Sequence, residues 1–325
     1  MKDCDGGRER GLSVLLALSL FWGPIATQRG AGNQGSLPST PNHEKSIPAI
    51  SVNVSMVVLH ASVRDAKGRI VSDLQGKNFR VFEDGRPQTV ELFHHRDVPV
   101  AVGLAVDNSG SMQHKRWDVT AAALAFVRSS NSEDEMFVVN CDENGTFRLP
   151  SIEPFSATPS ELVHALMGAP AGGMTALYDA VTDALEHLHM ANREKRALIV
   201  ISDGGDNASR HSLNQVLQLA RRSETIIYTI GLFGDDDLDA NPAVLEKIAS
   251  ATGGEAFFPK HISTIVEICE EIAEDIRNQY TIGYSPANNH FDDRYRSIRV
   301  TAATPGGKKL RVRTRPGYIA SSRLD

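Results

Sequence analysis

Apolar and polar residues follow two different rhythms along the chain. Between residues 50 and 96 apolar side chains take every second position, as at Val52, Val54 and Met56, and turns such as Asp84-Gly85 separate the segments. Alternation with a period of two is typical of strands that bury one face. This segment is therefore predicted to form short antiparallel strands.

From residue 97 the pattern changes to continuous apolar runs separated by helical periods. Val100–Val106 and Arg196–Ser202 are apolar throughout most of their length, as expected of strands covered on both faces. Between them, Ala176–Met190 repeats apolar residues at helical spacing. Further helices are predicted over residues 117–128, 160–167, 213–222, 243–249 and 262–277. Strands alternating with helices predict an α/β domain over residues 97–277, with a doubly wound, mostly parallel sheet.

The strand pattern returns after this domain. Three strands without an intervening helix are predicted over Gln279–Tyr284, Tyr295–Thr301 and Leu310–Arg315. Each flank alone would bury too little apolar surface to be stable. We therefore expect residues 278–320 to pack with residues 50–96, so that the α/β domain is inserted in one small antiparallel β module. Two independent hairpin units are the alternative.

The N-terminus has the layout of a secretory signal. Basic residues, including Lys2 and Arg8, precede the apolar run Gly11–Trp22, which is too short to span a bilayer comfortably. Residues 1–27 are predicted to be a signal peptide and residues 28–49, rich in Gly, Ser and Pro, a flexible linker. A secreted or periplasmic protein follows from this, with an uncleaved membrane anchor as the alternative. No later segment is apolar and long enough to be transmembrane.

Net charge and cysteine content argue against two classes of protein, general nucleic-acid binders and disulfide-framework proteins. The formal net charge of −6 argues against a general nucleic-acid binder, which would carry a basic excess. Removal of the signal would take Cys4 with it and leave Cys141 and Cys269. Two cysteines do not make a disulfide framework, so buried free thiols are favoured and a single bridge is the alternative.

Candidate chemistry lies at the predicted strand ends. Asp107-Asn-Ser-Gly-Ser111 directly follows the first apolar run, Asp203 ends the second, and Thr175 lies in the Gly-rich loop between them. Carboxyl ends of parallel strands meet at one edge of a sheet, where ligands bind. Carboxylate and hydroxyl oxygens suit a hard divalent cation such as Mg²⁺. Taken singly, Thr175 could be a helix N-cap and Asp203 a turn residue before Gly204; three such positions together favour a metal site.

These residues resemble the von Willebrand factor type A family, whose metal-ion-dependent adhesion site has the pattern D-x-S-x-S…T…D. Over about residues 97–277 the matching positions are Asp107, Ser109, Ser111, Thr175 and Asp203. The flanks resemble a narrower group, the secreted bacterial proteins with an acidobacterial-type VWFA-related domain, in Phe79–Gln88, Gln279–Pro286 and Leu310–Tyr318. One departure is Met174, which stands between the glycines and the threonine where many members have no residue.

The resemblance implies a Rossmann-like sheet with Mg²⁺ (or Mn²⁺) at its top. In the family the two serines and the threonine contact the metal directly, and the aspartates act largely through waters. Neutral hydroxyl ligands leave most of the metal charge unquenched, so an Asp or Glu carboxylate from a partner protein or matrix ligand can complete the site. An exported, metal-dependent adhesion protein is thus expected. A scaffolding protein whose metal site is only stabilising is the alternative.

An enzyme is not predicted. The histidines are scattered, and no His-x-x-x-His pair indicates a zinc site. His187 and His189 lie two apart on a helix and so point away from each other. His114 could approach the serines, but a third group that would orient it for nucleophilic catalysis is not evident. No G-x-G-x-x-G follows the first apolar run, which argues against dinucleotide binding.

Overall fold

The computed structural model describes residues 56–142, 154–168, 172–234 and 239–321. These residues all belong to one compact unit. The predicted signal peptide, the predicted linker and the predicted strand start at residues 50–55 lie outside the described residues.

Thirteen strands and six α-helices make up the described part of the chain. The strands are β1 Val57–Arg64, β2 Phe79–Glu83, β3 Arg86–Gln88, β4 Leu92–His94, β5 Val100–Val106, β6 Glu135–Asn140, β7 Lys195–Ser202, β8 Ile226–Gly231, β9 Ala256–Phe257, β10 Tyr280–Tyr284, β11 Tyr295–Ala303, β12 Lys309–Arg313 and β13 Gly317–Ile319. The helices are α1 Arg116–Ser129, α2 Pro159–Met167, α3 Leu177–His189, α4 Leu213–Arg222, α5 Pro242–Thr252 and α6 Ile265–Arg277.

Five strands form a parallel sheet in the order β6-β5-β7-β8-β9. Every residue of β5 is buried, because helices cover both faces of the sheet. Alternate β5 residues such as Val102 and Leu104 pack with α1, α2 and α6. The intervening residues Ala101 and Ala105 pack with α3, α4 and α5 on the other face. The predicted doubly wound α/β domain is confirmed.

The two flanks form one antiparallel sheet in the order β3-β2-β11-β12-β1-β10-β4, with β13 paired to β11. Strand β1 from the N-terminal flank pairs with β10 and β12 from the C-terminal flank, and β2 pairs with β11. Aromatic side chains from both flanks, among them Phe79 and Tyr280, share its core. The α/β domain is therefore inserted in a single β module, and two independent hairpin units are excluded.

Polar contacts join this β module to the parallel domain at the N-terminal edge of the parallel sheet. The ammonium group of Lys195, the first residue of β7, donates to the carbonyl oxygens of Ile276 and Gln279, 3.4 Å and 3.3 Å away. These contacts place the end of α6 at that edge. The carboxylate of Asp275, in the last turn of α6, accepts hydrogen bonds from the β module and from the parallel sheet.

Two helix boundaries differ from the predicted ones. The predicted helix 262–277 begins with a 3₁₀ turn, and its α-helical part starts at Ile265. Helix α5 is longer than predicted and ends where Gly253 adopts a left-handed φ of 81°. The short strand β13 was not predicted.

Every helix in the described ranges is too short or too polar to cross a lipid bilayer. Cys141 and Cys269 are both buried and free, in agreement with the favoured prediction.

Candidate metal site at the edge of the parallel sheet

The predicted ligands lie where the strand order of the parallel sheet reverses. Strands β5 and β7 are neighbours, but the chain leaving β5 leads to β6 on one side and the chain leaving β7 leads to β8 on the other. Asp107 directly follows β5 and Asp203 directly follows β7. Loops diverge at such a switch point and leave a crevice beyond the strand ends, which is where open α/β sheets bind ligands.

Asp107 is a buried carboxylate, 1% exposed, that organises the serine loop. One carboxylate oxygen accepts a hydrogen bond of 2.9 Å from the backbone N–H of Ser109, and the other accepts one of 2.7 Å from the hydroxyl of Ser202. Burial raises the pKa of Asp107, hydrogen bonds from Ser109 and Ser202 lower it, and the charge of Asp203 raises it again; the net direction is upward. The site therefore holds negative charge at an energetic cost that a nearby cation would offset.

Two hydroxyls and the second carboxylate are in direct contact. The Oγ atoms of Ser109 and Ser111 lie 3.1 Å apart, and Ser111 Oγ donates to Asp203 Oδ2 at 2.6 Å. The other oxygen of Asp203 accepts the backbone N–H of Gly205 at 2.9 Å. Asp203 thus serves as a turn residue and as a partner of the serine loop at once.

Thr175 is brought to the same edge by its backbone. Its N–H donates to Asn207 Oδ1 at 2.9 Å, and its carbonyl accepts the N–H groups of Asn207 and Ala208 at 3.0 Å each. The N-cap of α3 is Ala176, so Thr175 is not the cap residue that was the alternative interpretation. The other four predicted ligands, Asp107, Ser109, Ser111 and Asp203, are hydrogen-bonded to one another or to Ser202. Among the hydrogen bonds of the described residues, none joins the Thr175 hydroxyl to any of these four.

Further polar residues at this edge were missed by the sequence analysis. The hydroxyl of Ser202 donates a hydrogen bond to Asp107. In addition, the buried side chains of Asn108, Asn140 and Asp142 form a hydrogen-bonded series from the serine loop to the end of β6. Asn140 is the last residue of β6 and Asp142 follows two positions later, so both stand at the carboxyl end of that strand, as Asp107 does for β5. The same argument would have included them if the neighbours of β6 in the sheet had been known.

The donor set fits a hard divalent cation. Within the described residues, no Lys, Arg or His side chain forms an ion pair with Asp107 or Asp203. No group of three or more His, Cys, Asp or Glu side chains in those ranges is arranged to hold a metal. A cation here would therefore need the serine and threonine hydroxyls as well as carboxylates, an all-oxygen set that suits Mg²⁺ or Mn²⁺.

A parallel sheet covered by helices on both faces, with oxygen-bearing loops at its switch point, defines a Rossmann-like α/β domain. The family model for the von Willebrand factor type A domain matches residues 102–271, more than half of the 325 residues. The chain belongs to the von Willebrand factor type A (VWA) family.

Solved structures resemble the fold at low sequence identity. A von Willebrand factor type A structure from Catenulispora acidiphila matches with a TM-score of 0.51 and 15% identity, over 77% of this chain and 78% of that chain. The three N-terminal domains of the type V pili tip protein Mfa5 from Porphyromonas gingivalis give 0.46 and 12%, over 83% and 66%. The minor pilin PilB from Streptococcus sanguinis gives 0.45 and 12%, over 56% and 62%. No curated protein sequence matches the chain.

Proposed function

We propose that this VWA protein binds a partner protein or matrix ligand through a divalent cation, Mg²⁺ or Mn²⁺. The cation would be held by Asp107, Ser109, Ser111, Thr175 and Asp203. The observation that carries the proposal is the contact of Ser109, Ser111 and Asp203 beside a buried Asp107, at the switch point of a parallel sheet and with no basic partner among the described residues.

The chemistry of this donor set favours binding of an acidic partner. Hydroxyl ligands are neutral, so they leave most of the cation's charge available to an anionic ligand. Asp107 and Asp203 are already engaged with Ser202 Oγ and Ser111 Oγ, which orients their oxygens before any partner arrives. An Asp or Glu carboxylate of the partner is the group that such a cation attracts. Export, through the N-terminal signal that the sequence predicts, would place this site where extracellular or periplasmic partners are present.

Catalysis is not part of the proposal. A nucleophilic serine needs a base within hydrogen-bond reach. In the described ranges no hydrogen bond joins a histidine to Ser109 or Ser111, and the hydroxyl of Ser111 donates to a carboxylate, Asp203. The ring of His211 instead contacts Asp179, with Nδ1 2.6 Å from Oδ1.

A scaffolding role is the second candidate. The hydrogen bonds from Ser111 to Asp203 and from Ser202 to Asp107 join the β5 and β7 loops through protein groups alone. A cation at this edge would then add stability without serving a partner.

Thermal unfolding with and without Mg²⁺, Mn²⁺ or EDTA tests metal binding. A cation at one hundred times its Kd stabilises the folded protein by about 2.7 kcal/mol, so the Tm of the wild-type protein should rise. Ser111→Ala should lose most of that rise. Ser297→Ala is the matched control, because Ser297 Oγ also donates to an aspartate, Asp84, at 3.0 Å, but in the β module. A wild-type Tm that neither cation nor EDTA moves would overturn the proposal.

Titration of a glutamate-containing peptide separates the two candidates. Calorimetry should detect binding in Mg²⁺ and lose it in EDTA if the cation serves a partner. A protein that gains stability from Mg²⁺ but does not bind the peptide in either buffer would favour the scaffolding role.

A further inference from the structure

Three buried polar side chains outside the proposed ligand set form a continuous chain. Asn108 Nδ2 donates to Asn140 Oδ1, and Asn140 Nδ2 donates to Asp142 Oδ2 at 2.6 Å. Asn140 is 0% exposed, and the other two side chains are each 7% exposed. Buried amides are unfavourable unless they are hydrogen-bonded, so a polar chain at the end of an otherwise apolar strand needs a reason.

The two ends of this chain are attached to the two loops that carry the proposed hydroxyl ligands. Asn108 lies between Asp107 and Ser109, and its carbonyl accepts the N–H of Gly172 at 2.8 Å. At the other end, Asp142 forms a β-bridge with Thr175. This series of hydrogen-bonded side chains therefore runs from the serine loop to the threonine loop.

Asp142 gives the chain a direction. An ionised carboxylate only accepts hydrogen bonds, so it draws the Nδ2 group of Asn140 toward itself. The Oδ1 atom of Asn140 must then face the other way, where it receives Asn108 Nδ2. One orientation of Asn140 satisfies both neighbours, and in that orientation its amide links Asn108 to Asp142.

We infer that Asn140 is a positioning residue, oriented by Asp142, which sets the serine loop at the distance from Thr175 that a shared cation requires. Its effect on metal affinity rests on the proposed function. Its effect on the loops does not, because the hydrogen bonds join protein groups only. Groups that orient metal ligands typically change metal affinity about 10–100-fold when they are removed.

The test compares Asn140→Ala with Asn78→Ala. Asn78 is a matched control because it also donates and accepts, to the carbonyl of Ala303 at 3.1 Å and from the N–H of Gln75 at 2.9 Å, in the β module. By calorimetry, Asn140→Ala should weaken Mn²⁺ binding about tenfold or more, whereas Asn78→Ala should stay within about twofold of wild type. In metal-free buffer, Asn140→Ala alone should speed hydrogen exchange at the amides of Gly172 and Ala176.

The outcomes separate this inference from the proposed function. Wild-type binding of Mn²⁺ with unchanged affinity in Asn140→Ala, or an equal loss in Asn78→Ala, would overturn the inference and leave the proposed function standing. Absence of Mn²⁺ binding by wild type would overturn the proposed function, and unchanged hydrogen exchange in Asn140→Ala would then overturn the positioning role as well. If Asn140→Ala does not fold, Asp142→Asn keeps the shape and removes the direction; it should reduce Mn²⁺ affinity, and wild-type affinity would count against the inference.

Discussion

Asp275 should be the most sensitive position for the attachment of the β module to the parallel domain. Its carboxylate is 2% exposed. Asp275 Oδ2 accepts hydrogen bonds from Ser62 Oγ at 2.8 Å, Tyr228 OH at 2.6 Å and an Arg313 Nη at 2.6 Å. The other oxygen lies 3.4 Å from Arg64 Nη2. Tyr228 belongs to the parallel sheet and the other three partners belong to the β module. One carboxylate therefore joins the β module to the parallel sheet.

Replacement of Asp275 by alanine leaves these partners without their acceptor. A buried donor that loses its partner costs about 1–3 kcal/mol, and removal of one member of a buried ion pair costs about 3–5 kcal/mol. The terms do not add, because Arg313 keeps an ion pair with Glu255 and Arg64 keeps one with Glu271. We expect Asp275→Ala to lower the free energy of unfolding by about 3–5 kcal/mol.

Asp275→Asn should cost less than Asp275→Ala. Burial raises the pKa of Asp275, hydrogen bonds from Tyr228 and Ser62 and the charge of Arg64 lower it, and the net direction is upward. The surroundings therefore do not fully compensate the charge, and a neutral side chain of the same shape keeps an acceptor oxygen without that burden.

Urea unfolding followed by circular dichroism at pH 7 measures these differences. Glu271→Ala is the control, because Glu271 also pairs with Arg64 but its side chain is 43% exposed, and exposed pairs contribute about 1 kcal/mol or less. A loss below about 1 kcal/mol in Asp275→Ala, or an equal loss in Glu271→Ala, would refute the reasoning. Metal affinity should not change in either variant, since the end of α6 lies at the opposite edge of the parallel sheet from the candidate metal site.

Acid and a backbone substitution give two further tests. Burial lowers the pKa of His60 from 6.5 to about 4, so protons bind the unfolded chain more readily than the folded protein. The free energy of unfolding should therefore fall by at most about 3 kcal/mol as the pH is lowered from about 6.5 to 4. In urea titrations, His60→Gln should flatten this part of the pH profile. Gly253→Ala should lower the free energy of unfolding by about 2 kcal/mol or more, because φ is +81° and the new Cβ would lie 2.2 Å from the carbonyl carbon of Thr314. Gly306→Ala, whose Cβ would meet nothing closer than 3.8 Å, should remain near wild type in the same assay.

The fold class could be predicted because burial leaves a local signature. The seven residues of β5 are all buried, and their continuous apolar run indicates a strand covered on both faces. In β11, by contrast, exposed and buried residues alternate, as the period of two predicts for a sheet with one covered face. Very short elements carry no such signature: β13 has three residues, too few to show a period.

The candidate site could be predicted only in part. Asp107 and Asp203 follow long apolar runs, so their place at the carboxyl edge of the sheet was evident before any strand order was known. Asn140 and Asp142 have the same kind of position, but their importance depends on β6 lying directly beside β5. That the five predicted ligands bind a cation stays a prediction, which the Ser111→Ala experiment addresses.

The sequence by itself determined which segments are strands and helices, which faces they bury, and where the oxygen-bearing loops begin, because each of these depends on residues close together along the chain. Only the tertiary structure decided which surfaces meet. The hydrogen bond between Ser62 and Asp275 joins residues 213 positions apart. The amide chain from Asn108 to Asp142 likewise exists only because two strands are neighbours. Such contacts are selected by complementary shape and by satisfaction of buried polar groups, and neither property is encoded in a local pattern.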